Sequence, residues 1–455
     1  MTHSNTTARS HTDPSHQEPD MVIEGGILIT MVDGEDPVNP ARICVKKNRI
    51  VDVELMEETV PFSANVELID ASNCIVMPGL INSHCHTPMT LFRGSADDLP
   101  LREWLYDKIF PMESEYLRPE TVYWGSLLGC LEMIASGTTS LMDGYFFQDE
   151  TVLAVHRSGL RALLAQGVID FPAPGVPDPA ENLTRATEFI QKWLGFSDLI
   201  CPGVFCHSPA TCSKKTLREA MRISRDFSLP LQIHLSETSN EVEEIVKKTG
   251  QRPVHLLNEL GILDEGLVAA HAVHLTQDEI ELLADRGVRV VHVPESNMKL
   301  SSGTARIAEM VNLGMKVGLG TDGCASNNNL DLFQEMDTAA KLGKVFSENP
   351  VNMGAETVLK MATSWGGAVL GIEQEVGTIE KGKRADIIVV DLQSPHLVPL
   401  YNPFSSLVYS ANGADVRDVI VDGQILLRDR VFQTLDPDEI MEKVRALTST
   451  FGLNT

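Results

Sequence analysis

Short apolar runs and amphipathic stretches alternate along most of the chain. Eight runs are rich in Val, Ile, Leu and Ala: CIVMPGLI, TTSLMDG, RALLAQGVI, ICPGVFC, LPLQIHL, LVAAHAV, VRVVHVP and KVGLGTDG. Their near-continuous apolar character is typical of parallel strands that are buried on both faces. Between them, apolar residues at i, i+3, i+4 and i+7 predict helices over 119–136, 213–227 and 277–286. Eight strand-then-helix units predict a (β/α)8 barrel.

The two ends of the chain carry a different pattern. Short β-rich runs over 21–76 predict a small antiparallel sheet, and similar runs return after Gly377. Asp422-Gly423 lies between two of them and is the signal of a type I′ hairpin turn. We therefore predict a composite β-sandwich domain from 21–76 and 378–455 and a barrel domain over 77–377. A doubly wound open sheet is the alternative, but no G-x-G-x-x-G follows its first strand.

Composition and charge narrow the possible partners. The 455 residues are 43% hydrophobic and 22% charged, as in an ordinary globular chain. Lys and Arg total 37 against 63 Asp and Glu, which gives a formal charge of −26. This charge disfavours nucleic acid and anionic lipid as partners. No stretch of eighteen apolar residues is present, so we expect no membrane span.

The first twenty residues are polar throughout and predict a disordered leader without the apolar segment of a signal peptide. The eight cysteines show no C-x-x-C spacing, which disfavours a disulfide framework or a thiolate zinc site. Free thiols favour the reducing cytoplasm as the location of the protein.

Polar residues that can bind a metal follow several of the apolar runs, at the end of a barrel where active sites form. His84 and His86 lie two residues apart, so both imidazoles point to the same side of a strand. His234 ends the fifth run and Asp322 follows the eighth. We predict that these four residues bind one divalent ion, zinc or alternatively iron(II), with a position left for water. Such an ion would lower the pKa of that water toward about 7, which indicates a hydrolase.

Two further residues and one of the predicted ligands can move protons. Glu237 lies three residues beyond His234, and a carboxyl group in a desolvated pocket can stay protonated and act as an acid. His271 follows the next run and can bond to the attacking hydroxide. Together with Asp322, these residues can deliver and accept the protons that displacement of an amine from an aromatic carbon requires.

Several longer motifs resemble one known family. The run PGLINSHCHTPMTLFRG, followed by HLSE, AAHAVHL, PESNMKL, GLGTDGCASNN and GTIEKGKRADIIVVD, resembles the amidohydrolase superfamily and specifically its methylthioadenosine/S-adenosylhomocysteine deaminase branch. The resemblance spans nearly everything from Met21 onward. It implies a (β/α)8 barrel, one zinc or iron ion and hydrolytic deamination of adenine nucleosides, including methylthioadenosine, S-adenosylhomocysteine, 5′-deoxyadenosine and adenosine, to inosine-type products. A dimer or tetramer and a role in nucleoside salvage are further expectations.

The resemblance also implies substrate contacts. Glu113 in FPMESEY matches a residue that binds the ribose hydroxyls, and His207 matches a histidine that contacts the nucleoside. Trp104 matches an aromatic wall against the purine or the 5′ group, and Ser326 is expected to bond to the purine. Glu237 and Asp322 are expected to contact the substrate as well.

This chain departs from the family where the homocysteine tail would bind. Members that accept the tail carry arginines after the third strand, where its carboxylate would be held. Here Gln166 and Asp178 stand in that segment, and Arg185 follows about a helical turn later. This difference favours substrates with a small, uncharged 5′ group.

Two alternative functions remain. One is deamination of another amino-heterocycle, such as guanine, a pterin or an s-triazine, because pocket loops differ among proteins that share one metal site. The other is a non-catalytic scaffold that has lost its metal, which an intact set of ligands, acid and base disfavours.

Overall fold

The computed structural model describes residues 18–56 and 62–453. Most of the predicted leader, residues 1–17, lies outside this range. Asp20, at its end, belongs to the fold, because its carboxylate accepts a bond from Lys46 Nζ at 2.7 Å and its backbone N–H donates to Val45 O at 2.9 Å. None of the helices in the described part of the chain combines the length and the apolar character needed to cross a bilayer.

Eighteen strands form three sheets within the described residues. In chain order the strands are Met21–Glu24 (β1), Ile27–Leu28 (β2), Ala41–Lys46 (β3), Arg49–Leu55 (β4), Glu67–Asp70 (β5), Cys74–Pro78 (β6), Leu80–Cys85 (β7), Thr138–Tyr145 (β8), Arg161–Val168 (β9), Ile200–Cys206 (β10), Leu231–Leu235 (β11), Leu267–His271 (β12), Arg289–His292 (β13), Val317–Leu319 (β14), Ile387–Asp391 (β15), Val416–Val421 (β16), Gln424–Arg428 (β17) and Val431–Phe432 (β18).

The α-helices of the described residues are Leu101–Glu103 (α1), Phe110–Tyr116 (α2), Pro119–Ala135 (α3), Gln148–Ser158 (α4), Asn182–Trp193 (α5), Lys214–Phe227 (α6), Ser239–Thr249 (α7), Pro253–Glu259 (α8), Gln277–Asp285 (α9), Pro294–Lys299 (α10), Ile307–Asn312 (α11), Leu332–Phe346 (α12), Ala355–Met361 (α13), Ser364–Leu370 (α14), Pro403–Tyr409 (α15) and Pro437–Thr448 (α16). The three predicted helices correspond to α3, α6 and α9, each within one residue of its predicted ends. A π-helical turn, Trp104–Ile109, joins α1 to α2.

The eight strands β7 to β14 form one parallel sheet in sequence order. A parallel bridge between Cys85 and Asp322, and a 3.0 Å bond from Asp322 N–H to His84 O, connect the first strand to the chain after the last. The predicted (β/α)8 barrel is therefore confirmed. The first predicted run, CIVMPGLI, is split: its first half is β6, which pairs with β15 outside the barrel, and only its second half begins β7.

The remaining strands form a four-stranded sheet, β4-β3-β1-β5, and a six-stranded sheet, β18-β17-β16-β15-β6-β2. The first sheet is mixed instead of purely antiparallel, because β1 pairs with β5 in parallel. Ile387 and Val389 on β15 share a core with β1 and β3, whereas Ile388 and Val390 face the barrel core. Alternate residues of one strand thus join the sandwich to the barrel. The hairpin turn between β16 and β17 has positive φ at Asp422 and Gly423, as predicted for type I′.

Candidate active site

The four predicted metal ligands meet at the carboxyl-terminal end of the barrel strands. His84 lies on β7 and His86 directly after it, His234 lies on β11, and Asp322 follows β14. Each offers one ligand atom, and the four atoms lie within 4.8 Å of one another. His84 Nε2 is 3.2 Å from His234 Nε2, and His86 Nε2 is 3.2 Å from Asp322 Oδ1. Three imidazoles and one carboxylate that converge in this way form a donor set suited to zinc or iron(II).

Hydrogen bonds orient His86 and Asp322 so that one potential metal-binding atom of each points into the cluster. His86 Nδ1 lies 2.6 Å from Gly144 O, so it donates there and its Nε2 lone pair points into the cluster. Asp322 Oδ2 accepts from the hydroxyls of Ser296 at 2.7 Å and Ser326 at 3.0 Å. Its other oxygen, Oδ1, remains directed at the histidines. Asp322 also has a positive φ of 60°, an uncommon conformation that recurs at functional sites.

Ser326 therefore lies behind Asp322, where its side chain is buried, and it is absent from the residues that line the central cavity of the described chain. The structure does not bring it to the surface on which a purine would lie.

Glu237 and His271 face each other beside this cluster. Glu237 Oε1 accepts from Ser302 Oγ at 3.0 Å, and Oε2 is 3.7 Å from His271 Nε2. Burial raises the pKa of Glu237 to about 8, so its carboxyl group is protonated at neutral pH. Burial lowers the pKa of His271 to about 4, so its imidazole is neutral. The side-chain amide of Asn297 lies 2.9 Å from His271 Nδ1 and fixes the orientation of the ring.

A cavity of about 410 Å³ opens over the cluster, and five of the six predicted substrate contacts line it: Glu237, Asp322, Glu113, His207 and Trp104. Glu113, on α2, is 3% exposed, and Tyr145 Oη donates to its Oε1 at 2.6 Å. Burial raises the pKa of Glu113 to about 7. His207 lies with its ring centroid 5.1 Å from that of His234, and Thr211 Oγ1 is 2.9 Å from its Nδ1.

Trp104 lines the same cavity from the π-helical turn. Its side chain is buried, and its indole Nε1 has no hydrogen-bond partner within the described residues. Trp104 therefore adds an apolar indole ring to the lining of the cavity.

Sequence reasoning missed the side chains that support these groups: Tyr145, Ser296, Asn297 and Ser302. Two signals were present, because Tyr145 directly follows the run TTSLMDG at a strand end, and PESNMKL contains Ser296 and Asn297. Ser302 had no comparable signal, since it lies in a turn after α10.

The segment after the third barrel strand contributes no cation to the cavity. Arg185 is exposed and pairs with Glu181 and Glu188, each at 3.2 Å. Neither Gln166 nor Asp178 is among the described residues that line the cavity. Arg102, on α1, is the one Lys or Arg in that lining.

Comparison with known sequences places the chain in a family. The model of the amidohydrolase family matches residues 75–426. A 5-methylthioadenosine/S-adenosylhomocysteine deaminase from Syntrophus aciditrophicus is 44% identical over 428 residues, which cover 94% of this chain and 96% of that protein. A 5′-deoxyadenosine deaminase from Methanosarcina mazei is 43% identical over 428 residues, covering 94% of this chain and 97% of its own.

A solved structure agrees with this result. The crystal structure of an adenosine deaminase from Xanthomonas campestris with bound zinc superposes with a TM-score of 0.93 and 35% identity, covering 95% of this chain and 99% of that one. The matches run through the barrel and both flanking sheets. The chain therefore belongs to the amidohydrolase family, in the group that contains the 5-methylthioadenosine/S-adenosylhomocysteine deaminases it matches.

Proposed function

We propose that this chain is a metal-dependent hydrolase that deaminates adenine nucleosides with a 5′ substituent to inosine-type products and ammonia. The observation that carries the proposal is a buried carboxyl group, Glu237, held next to His271 and a four-residue metal-ligand cluster in one cavity. The names of the relatives, which refer to deaminases of methylthioadenosine, S-adenosylhomocysteine and 5′-deoxyadenosine, support it.

His84, His86, His234 and Asp322 would hold the ion, and the donor set favours zinc, with iron(II) as the alternative. A divalent ion bound there would supply Lewis acidity, which lowers the pKa of a water molecule toward about 7.

The protein groups then account for the protons of the reaction. The raised pKa of Glu237 keeps a proton on its carboxyl group at neutral pH, and this proton goes to the ring nitrogen next to the carbon that is attacked. The water molecule loses one proton when its oxygen bonds to that carbon, and neutral His271 and the Asp322 carboxylate are the two groups that can accept it. That proton passes to the exocyclic nitrogen, so the C–N bond breaks and ammonia leaves. The hydroxyl group on the same carbon then loses its proton to the Glu237 carboxylate, which forms the C=O bond and restores the acid.

Glu113, His207 and Trp104 would bind the nucleoside. An ionised Glu113 can accept hydrogen bonds from two vicinal ribose hydroxyls, while Tyr145 holds one of its oxygens in place. His207 lies next to His234 in the same cavity, and Trp104 supplies the apolar wall.

The scarcity of positive charge in the described lining of the cavity favours a small, uncharged 5′ group. Its acidic lining residues are Glu113, Glu237, Glu241, Glu244 and Asp322. Arg102 alone in the described lining could attract the carboxylate of a homocysteine tail, and it stands at the exposed rim, 5.5 Å from the Tyr106 ring centroid. We therefore propose that methylthioadenosine and 5′-deoxyadenosine are better substrates than S-adenosylhomocysteine.

The eight cysteines are all free, and six of them are buried, which supports the cytoplasm as the location we propose. A homo-oligomer and a salvage role complete the proposal, and the first of these is testable by light scattering.

The decisive experiment measures ammonia release and loss of adenine absorbance on metal-replete protein. The panel contains adenosine, 5′-deoxyadenosine, methylthioadenosine, S-adenosylhomocysteine, adenine and guanine. Turnover of the nucleosides and not of the bases is expected. Turnover of a free base alone would show that the substrate is another amino-heterocycle. Absence of bound metal after mild purification would favour the alternative in which the chain is a non-catalytic scaffold.

A further inference from the structure

Glu241, one helical turn beyond Glu237, makes an unusual contact at the start of α7. The N-cap of this helix is Thr238, whose Oγ1 accepts from Glu241 N–H at 3.2 Å. In an ordinary capping box the acid at the third helical position would reach back to the backbone N–H of the N-cap. Here Glu241 Oε2 reaches one residue further and accepts from the backbone N–H of Glu237 at 2.9 Å.

This contact fixes Glu237 from its backbone side. Ser236, the residue before Glu237, has a positive φ of 51°, so the chain turns sharply between β11 and α7. The carboxyl end of Glu237 is held separately by Ser302 Oγ. Glu237 is therefore held at both ends, at its N–H by Glu241 and at its Oε1 by Ser302.

The surroundings of Glu241 indicate more than a helix cap. Its side chain lines the same cavity as Glu237, and its Oε1 is buried with no hydrogen-bond partner within the described residues. A buried, half-satisfied carboxyl group costs stability, and a cap alone would not require it, because Thr238 already caps the helix. Burial and the proximity of Glu237 raise the pKa of Glu241 to about 8, which is a further sign of that cost.

We infer that Glu241 is a positioning residue for Glu237: by holding the Glu237 backbone N–H, it sets where the Glu237 carboxyl group lies relative to His271. The inference rests on the proposed function, in which Glu237 is the acid of the reaction. Loss of the contact should therefore slow the chemical step and leave substrate binding nearly intact.

The test uses the full-length, metal-loaded chain with methylthioadenosine as substrate. Glu241→Gln keeps an oxygen that can accept from Glu237 N–H, and kcat should stay within about threefold of the unmodified protein. Glu241→Asp keeps the carboxyl group but is one methylene too short to reach, and kcat should fall about tenfold or more, since small misplacements of catalytic groups can cost up to about 100-fold. Glu241→Met removes the hydrogen-bond acceptor and should lose at least as much. KM should change less than about threefold in all three.

Glu243→Met is the matched control, because Glu243 is exposed on the same helix and is not among the described cavity residues. It should behave as the unmodified protein. If Glu241→Met fails to fold or to bind metal, the Gln and Asp variants still decide the matter.

Equal kcat in the Gln and Asp variants, or a rise in KM without a fall in kcat, would overturn the inference. Failure of the unmodified protein to deaminate any nucleoside would instead refute the proposed function. In that case the same variants are compared on the amino-heterocycle that the protein does turn over, with the same expected ranking.

Discussion

Replacing Glu113 with Gln should raise the free energy of unfolding near pH 8 and at the same time lower the activity toward nucleosides. Its carboxyl group is 3% exposed, and burial raises its pKa from the ordinary 4.5 to about 7. The ionised form is therefore disfavoured in the folded chain. Replacing Glu113 with Gln keeps the shape and an acceptor for Tyr145 Oη while it removes the charge.

The magnitude follows from the pKa. A rise from 4.5 to about 7 corresponds, at about 1.36 kcal/mol per pKa unit, to about 3 kcal/mol. Because the folded pKa lies above the unfolded one, this contribution to stability is fully present below pH 4.5 and is lost as the pH rises through 7. The unmodified protein should thus lose stability relative to Glu113→Gln by about 2 to 3 kcal/mol between pH 5 and pH 8.

The assay compares unfolding in urea, or melting temperature where unfolding is irreversible, at pH 5 and pH 8. Glu115→Gln is the control, because Glu115 is exposed on the same helix and its replacement should change stability by less than about 0.5 kcal/mol. In kinetics, Glu113→Gln should lower kcat/KM for nucleosides by about 10- to 100-fold, the range expected for hydrogen bonds to a charged group. For a free base the change should be small.

Two results would refute this reasoning. If the stability difference between Glu113→Gln and the unmodified protein were the same at pH 5 and pH 8, the pKa of Glu113 could not be raised. If kcat/KM for a free base fell as much as for a nucleoside, Glu113 would not be a ribose contact.

Four further predictions concern the metal site, the acid, the 5′ group and the core. Asp322→Asn should lower bound metal, measured by elemental analysis, and reduce kcat by more than 100-fold; a fully loaded, active variant would contradict the ligand assignment. Ser302→Ala removes the donor to the acid and should lower kcat about fivefold, from a hydrogen bond worth about 1 kcal/mol. Arg102→Met should lower kcat/KM for S-adenosylhomocysteine more than for methylthioadenosine, and equal losses would exclude a tail contact. Arg161→Met should destabilise the chain by about 3 to 5 kcal/mol in urea unfolding, since it leaves Asp386 buried without its partner.

The barrel was predictable because its strands are near-continuous apolar runs, which are typical of parallel strands buried on both faces. The split of CIVMPGLI was not, because both halves are equally apolar and only Gly79 separates them. A Cβ at Gly79 would lie 2.1 Å from the side chain of Thr139, so this close approach of two segments selects glycine. That neighbour is distant in the sequence, and the pattern around Gly79 does not reveal it. The parallel pairing of β1 with β5 likewise depends on a contact between segments that are far apart in the chain.

The metal-ligand cluster was predictable for a similar reason. His84, His86, His234 and Asp322 all follow apolar runs, and the barrel brings the ends of these runs together. The hydrogen-bond partner of Ser326 was not predictable. Its hydroxyl could donate either to a bound purine or to the carboxylate of Asp322, and the sequence does not show which acceptor lies closer. Asp322 Oδ2 already has a hydroxyl donor in Ser296, and Ser326 becomes the second.

Composition does not reveal the burial of Glu113 and Glu237; only the position of Glu237, three residues after His234, indicated a desolvated pocket. In a chain with 63 acidic residues, composition alone would place both on the surface. The structure buries them instead and raises both pKa values, so each costs folding stability at neutral pH. In the proposed reaction this cost has a different consequence for each residue. Glu237 needs a pKa above neutral because it must carry the proton that it donates, so proton donation should weaken above about pH 8. Glu113 must ionise to bind ribose, so nucleoside binding should strengthen as the pH rises through about 7. Activity toward nucleosides should therefore be greatest between these two values, and a free base, which makes no contact with Glu113, should lack the lower limit.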